Sequence, residues 1–191
     1  SFSFRQVARD TLMVLDHLRI DRVKGIGLSG GGIALLHLAT AAPARVRSMV
    51  LVSAPPYFPD QARAIQRQSS PAMMSAFDME LMHQRHTYGE PQIDKLFAYS
   101  RAMADTYDDV NFTVQDLSTI TAEALIVFGD RDPLYPVSIA FELHRAISHS
   151  YLWVVPNGGH GPVFGDAAPA FSKTALSFLR GDWRPQPGQL S

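Results

Sequence analysis

The chain contains no cysteine. That removes disulfides, thiolate nucleophiles and cysteine-rich metal sites together, though not export, and leaves the redox compartment open. An excess of positive charge is also missing: 17 Lys and Arg stand against 18 Asp and Glu, giving a net charge of −1 and a pI of about 6.6. The basic residues are scattered, without the stripe or run that a phosphate backbone requires, so nucleic acid is not an expected partner. No apolar stretch reaches the roughly 18 residues of a membrane span. The start, Ser1-Phe2-Ser3-Phe4-Arg5, lacks a signal-peptide pattern. No membrane partner is expected, and a cytoplasmic location is. Without internal repeats or low-complexity tracts, 191 residues at 46% hydrophobic content predict one core carrying an insertion.

The most informative segment is Gly27-Leu28-Ser29-Gly30-Gly31-Gly32. It follows the apolar run Val23 to Ile26 and precedes a helical run from Ile33 to Ala42, so strand, turn and helix meet at Ser29. A Gly-x-Ser-x-Gly match in that setting is a nucleophile elbow, which pushes the serine clear of the backbone. Gly27 and Gly31 are expected to supply the room, because a Cβ at either would strike the turn or the adjoining strand. Without chemistry, the same residues would make an ordinary glycine-rich strand-to-helix turn.

Two further segments argue for chemistry. Ala124 to Gly129 is a continuous apolar run, as in a parallel strand buried on both faces, and it runs into Asp130-Arg131-Asp132-Pro133-Leu134-Tyr135-Pro136. Tyr151 to Val155 reads as another strand, followed by Pro156-Asn157-Gly158-Gly159-His160-Gly161-Pro162, where flanking glycines free the imidazole. In an open α/β sheet the carboxyl ends of parallel strands share one edge, so a serine, an acid and a histidine far apart in sequence can converge there.

The rest of the chain fits the same plan. An opening helix carries Phe4, Val7, Ala8, Leu12, Leu15 and Leu18 at helical spacing, ends near Ile20 and Asp21, and is expected to pack on the sheet. Pro43 breaks the chain before another buried strand, Ser48 to Ser53. From Tyr57 to about Thr121 the pattern is helical, with Pro59, Pro71 and Pro91 at first turns. Five of the seven methionines fall there (Met73, Met74, Met79, Met82, Met103), with Phe77, Phe97, Tyr99 and Tyr107. Most of these are expected to pack inside the segment, with one or two facing a pocket. His83 and His86 lie three apart on one helix but lack a third ligand, so they are assigned to a solvated face rather than a metal. A last helix, about Asp166 to Leu179, presents Phe171, Leu176, Phe178 and Leu179 to the sheet. A breaker-rich tail then begins at Gly181, with Trp183 as its one anchor.

The order Ser29, acid, His160, each at a strand end, resembles the α/β-hydrolase family over nearly the whole chain. The resemblance implies an α/β fold, with a mostly parallel sheet, flanking helices and an inserted helical cap. Residues 1–56 and 122–183 would form the core, 57–121 the cap and 184–191 a tail. It implies Ser29 as nucleophile and His160 as general base. The family pattern Gly-x-x-Asp-x-x-x-Pro, here Gly129 to Pro136, implies Asp132 as the acid. Asp130 is the lesser candidate, since it would still be leaving the strand, and Asp132 could alternatively begin a turn. The backbone N–H of Gly30 would be one oxyanion donor. No cofactor and no metal are implied.

That resemblance implies acyl transfer on a carbonyl substrate, with a carboxylic ester or lactone leading and carbon–carbon bond hydrolysis or peracid formation as alternatives. A serine rather than an aspartate at the elbow argues against epoxide and haloalkane hydrolysis. Only the last four of the family's eight strands can be placed, and the loop that gives the second oxyanion donor is not among them. The natural protein is therefore expected to be longer at its N-terminus. Were this chain complete, it would be expected to form a homo-oligomer through the elbow-strand edge and to turn over weakly. Two other classes stay open: a non-catalytic binding protein on the same scaffold, and phosphate or dinucleotide binding at Gly30 to Gly32. The latter lacks a Gly-x-Gly-x-x-Gly fingerprint.

Overall fold

Four apolar runs form parallel strands in the computed structural model, which describes residues 2–183: β1 (Val23–Leu28), β2 (Val46–Val52), β3 (Glu123–Gly129) and β4 (Ser150–Val155). They lie in sequence order, β1-β2-β3-β4, with Leu51 beside both Gly27 and Ile126, and Ile126 beside Leu152. Parallel neighbours need crossovers, and helices supply them. Among the described residues the eight α-helices are α1 (Phe4–His17), α2 (Gly30–Ala41), α3 (Asp60–Arg67), α4 (Ala76–Arg85), α5 (Glu90–Met103), α6 (Val114–Ser118), α7 (Val137–Ala146) and α8 (Ala168–Arg180). The fold is α/β, as expected.

Side chains alternate across a strand, and both faces of the central strands are covered. Met49 and Leu51 of β2 and Ala124, Ile126 and Phe128 of β3 join Ile33 and Leu36 of α2 and Ile139 and Leu143 of α7 on one face. Val50, Val52, Leu125 and Val127 meet Ala175 and Phe178 of α8 on the other. Burying each large apolar side chain stabilises the fold by about 1.5–3 kcal/mol before chain entropy is counted. β1 pairs only with β2 among the described strands, and its Ile26 is 51% exposed, unlike the fully buried residues of β2 and β3.

Some sequence expectations shift. α1 packs mainly on α2, and Leu18 caps the helix C-terminus in solvent rather than extending the apolar face, because the helix ends at His17. α2 starts at Gly30, not Ile33, so all three glycines after the serine are helical. α3 to α6 lie between β2 and β3. Their apolar residues are less enclosed than expected: Met73, Met74, Phe77, Tyr99 and Tyr107 are exposed, while Ile93 and Phe97 are buried. For Phe77 the reason is that α4 packs mainly on α5 and buries none of its residues. After α8, Trp183 packs edge-on to Tyr151 and Phe178, and its carbonyl accepts a bond from the Tyr151 hydroxyl. The tail at residues 184–191 lies outside the described residues.

Candidate active site

Because the strands are parallel, the residues that follow β1, β3 and β4 gather at one sheet edge. Ser29 follows β1 directly and sits at φ 49°, ψ −114°, a strained conformation for a residue with a side chain. Two backbone bonds fix it there: its N–H donates to the Val52 carbonyl, and its own carbonyl accepts from Ile33 N–H. A Cβ on Gly27 would come within 2.5 Å of the Gly31 backbone, and one on Gly32 would overlap the Ala54 side chain. A Cβ on Gly31 would meet nothing within 4 Å. The expectation for Gly31 is thereby corrected: Gly27 and Gly32 make the room, because the helix turns the Cβ position of Gly31 away from the strand.

The loops after β3 and β4 are joined. Asp130 N–H donates to the Val155 carbonyl and Arg131 N–H to the Gly158 carbonyl. Asp132 is thereby brought to His160, whose Nδ1 lies 2.9 Å from Asp132 Oδ2. The other carboxylate oxygen accepts the N–H groups of Leu134 at 2.8 Å and Tyr135 at 3.2 Å. The carboxylate is fully buried and saturated with donors, while the imidazole keeps 28% of its surface exposed. An ionised carboxylate only accepts, so Nδ1–H is the donor and Nε2 of neutral His160 is left as the acceptor. Asp130 lies outside this arrangement, at the surface 4.0 Å from Arg131.

One neighbour escapes sequence reasoning. Tyr135 is 2% exposed, and its ring stands edge-on to His160 with centroids 5.3 Å apart. Burial, reinforced by the Asp132 charge and opposed by Ser29, pushes its ionisation well above that of a free phenol, so it stays protonated. The only available signal was its place between Asp132 and Pro136. Gly30 opens α2, where backbone N–H groups have no partner within the helix.

The other candidates lie elsewhere. His83 is exposed and meets Glu90 at 2.7 Å. No group of three or more metal-ligating side chains occurs among the described residues. A crevice of about 390 Å³ between α1, α2 and residues 108–116 includes Arg5, His37 and Asp109 but none of Ser29, Asp132 or His160. No helix among the described residues is long and apolar enough to cross a membrane.

The family description "alpha/beta hydrolase fold" matches residues 1–81. The human serine hydrolase BPHL is 26% identical over 184 residues, a match covering 93% of this chain and 61% of that protein. The chain thus spans less than two thirds of that relative's length. The solved structure of the meta-cleavage product hydrolase CumD from Pseudomonas fluorescens IP01 superposes with a TM-score of 0.74 at 18% identity, covering 95% of this chain and 73% of CumD. A thermophilic esterase from Thermogutta terrifontis gives a TM-score of 0.68 at 18% identity, covering 94% and 73% of the two chains. With the strand order and these likenesses in agreement, the chain has the α/β-hydrolase fold.

Proposed function

We propose that this chain carries the catalytic residues of a serine hydrolase acting on a carbonyl substrate, most simply a carboxylic ester or lactone. The observation that carries the reading is the 2.9 Å bond from His160 to Asp132 at the sheet edge that also bears Ser29 in its strained turn. Ser29 Oγ attacks the carbonyl carbon as its proton passes to Nε2 of His160, and Asp132 holds the imidazole and stabilises its cation. His160 then returns the proton to the leaving group, giving an acyl-enzyme. Water activated by His160 attacks that ester, and Ser29 leaves with its proton restored. The N–H of Gly30 supplies one donor to the oxyanion.

Residues 57–121 serve in this reading as a helical cap over the site, with 1–56 and 122–183 as the core. The name of CumD adds meta-cleavage products to the substrates worth trying. A cytoplasmic location belongs to the same proposal, as does self-association along the β1 edge should these residues form the whole protein, and fractionation and light scattering test them.

The experiment is labelling by a fluorophosphonate, read by intact mass, which reports an activated serine without assuming a substrate. One adduct per chain, absent from Ser29→Ala, is the expected result. Failure of the folded protein to label, or equal labelling of Ser29→Ala, contradicts the reading.

A further inference from the structure

We propose that Ser53 is a positioning residue for Ser29: its left-handed backbone turns the end of β2 onto the elbow and fixes the angle at which Ser29 is presented. The inference rests on the serine-nucleophile reading above. It comes from strain and contact meeting at one residue. The non-glycine residues with positive φ among the described residues are Arg19, Ser29, Ser53 and Asn157. The last three stand just beyond β1, β2 and β4, at the edge that carries the candidate site. Asparagine accepts that conformation readily, and Arg19 lies in the exposed turn after α1. Ser53, at φ 46°, is fully buried, and its hydroxyl has no hydrogen-bond partner among the described residues. Strained backbone and an unpaired buried hydroxyl are both unfavourable, so what favours this conformation lies in the contacts of the backbone.

Those contacts reach both sides of the site. The Val52–Ser53 peptide joins the elbow to the strand that feeds the acid: its carbonyl accepts Ser29 N–H at 2.8 Å, and its N–H donates to the Val127 carbonyl at 2.8 Å. Val127 belongs to β3, which leads into the loop of Asp132. The next residue, Ala54, is fully buried against the first turn of α2, so closely that a Cβ on Gly32 would overlap its side chain. Extended backbone at position 53 would carry the chain on along β2 and away from Gly32. The left-handed turn instead lays Ala54 on the helix that starts at Ser29. Ser53 touches no reacting atom in this arrangement; it acts through the elbow. Misplacing a reacting atom by about 1 Å can slow a reaction about 100-fold, so a small turn at Ser53 is enough to matter.

Two substitutions separate backbone from side chain. Ser53→Thr keeps the hydroxyl but puts a β-branched residue where φ is positive, whereas Ser53→Gly removes the hydroxyl and accepts the conformation freely. Fluorophosphonate labelling is followed where urea unfolding shows each protein fully folded, so that stability does not enter the rate. Ser53→Thr is expected to label about 100-fold more slowly than the parent, and Ser53→Gly to recover most of that loss. A purely structural role would lower the urea midpoint of Ser53→Thr and leave its folded form labelling at the parent rate, which overturns the proposal. A Ser53→Gly protein as slow as Ser53→Thr overturns it too. Should Ser53→Thr fail to fold, Ser53→Ala takes its place, since it opposes positive φ without added bulk. It is expected to label more slowly than Ser53→Gly, and equal rates overturn the proposal.

Hydrogen exchange at the Ser29 amide reads the same contact without catalysis. That N–H should lose protection in Ser53→Thr, or in Ser53→Ala where that variant stands in, and keep it in Ser53→Gly, while Leu125 and Ile126 of β3 hold theirs in each. If the parent protein fails to label, the serine reading falls separately and the exchange measurement still decides. Unchanged protection of Ser29 in the β-branched or alanine variant overturns the inference in either case.

Discussion

Gly129 and Gly158 touch backbone to backbone, so closely that a Cβ on Gly129 would overlap the Gly158 carbonyl. These two positions sit at the roots of the loops bearing Asp132 and His160, so the lack of a side chain at one point sets the distance between acid and base.

Gly129→Ala should therefore cost about 1–3 kcal/mol of stability, as overpacking does. It should also slow fluorophosphonate labelling, since the loops must part. Gly31→Ala, inside α2 where a Cβ meets nothing within 4 Å, should be neutral or stabilising by up to about 1 kcal/mol. Urea unfolding of both variants checks the contrast. Equal effects would mean that close approach does not govern these glycines.

His37 offers a pH test away from the site. It is 7% exposed on α2, its Nε2 lies 2.6 Å from the Asp109 carbonyl, and its ring packs on Phe112. Burial lowers its ionisation below the ordinary 6.5, outweighing the bond to the Asp109 backbone and the Asp109 carboxylate, both of which raise it; nearby Arg5 lowers it slightly further. The unfolded chain then binds this proton more readily than the folded one. Stability is intact above 6.5 and is lost as pH falls from 6.5 through the folded value. His37→Gln, which keeps a donor for the carbonyl, should flatten this part of the curve. Urea midpoints at pH 7.5, 6.5 and 5.5 give the comparison, and parallel curves for the two proteins would refute it.

Arg63 is the polar clasp of the α3–α6 segment. Although 3% exposed, it has three carbonyl partners: Nε donates to Phe58, and Nη1 to Ala104 and Thr106 at 2.8 Å each. Its guanidinium also stacks 3.8 Å from the centroid of the Tyr107 ring. Arg63→Met strands those carbonyls and should cost about 2–5 kcal/mol. Arg63→Lys cannot rebuild the fork and should recover little. Hydrogen exchange should show the loss confined to α3 and α5. Uniform loosening of β2 and β3 would place the role of Arg63 elsewhere.

The strands were legible because fully buried parallel strands need unbroken apolar runs, and Ala124 to Gly129 and Tyr151 to Val155 supply them between clear breakers. The elbow was legible because Ser29 stands where such a run meets a helix. Other features depend on what comes from elsewhere to meet a residue. Which of Gly31 and Gly32 is crowded depends on Ala54, far along the chain. The exposure of Phe77 reflects the thin support under α4, which helical spacing does not record.

The central claim is that Ser29, His160 and Asp132 work as one unit, and the most direct measurement is the rate of fluorophosphonate labelling in Asp132→Asn, His160→Ala and the double variant. Residues that act together are strongly non-additive. The account predicts losses on the order of 10⁴-fold for Asp132→Asn, a loss at least as large for His160→Ala, and a double variant no slower than His160→Ala alone. Losses that multiply in the double variant, or a His160→Ala protein that labels at the parent rate, would contradict it.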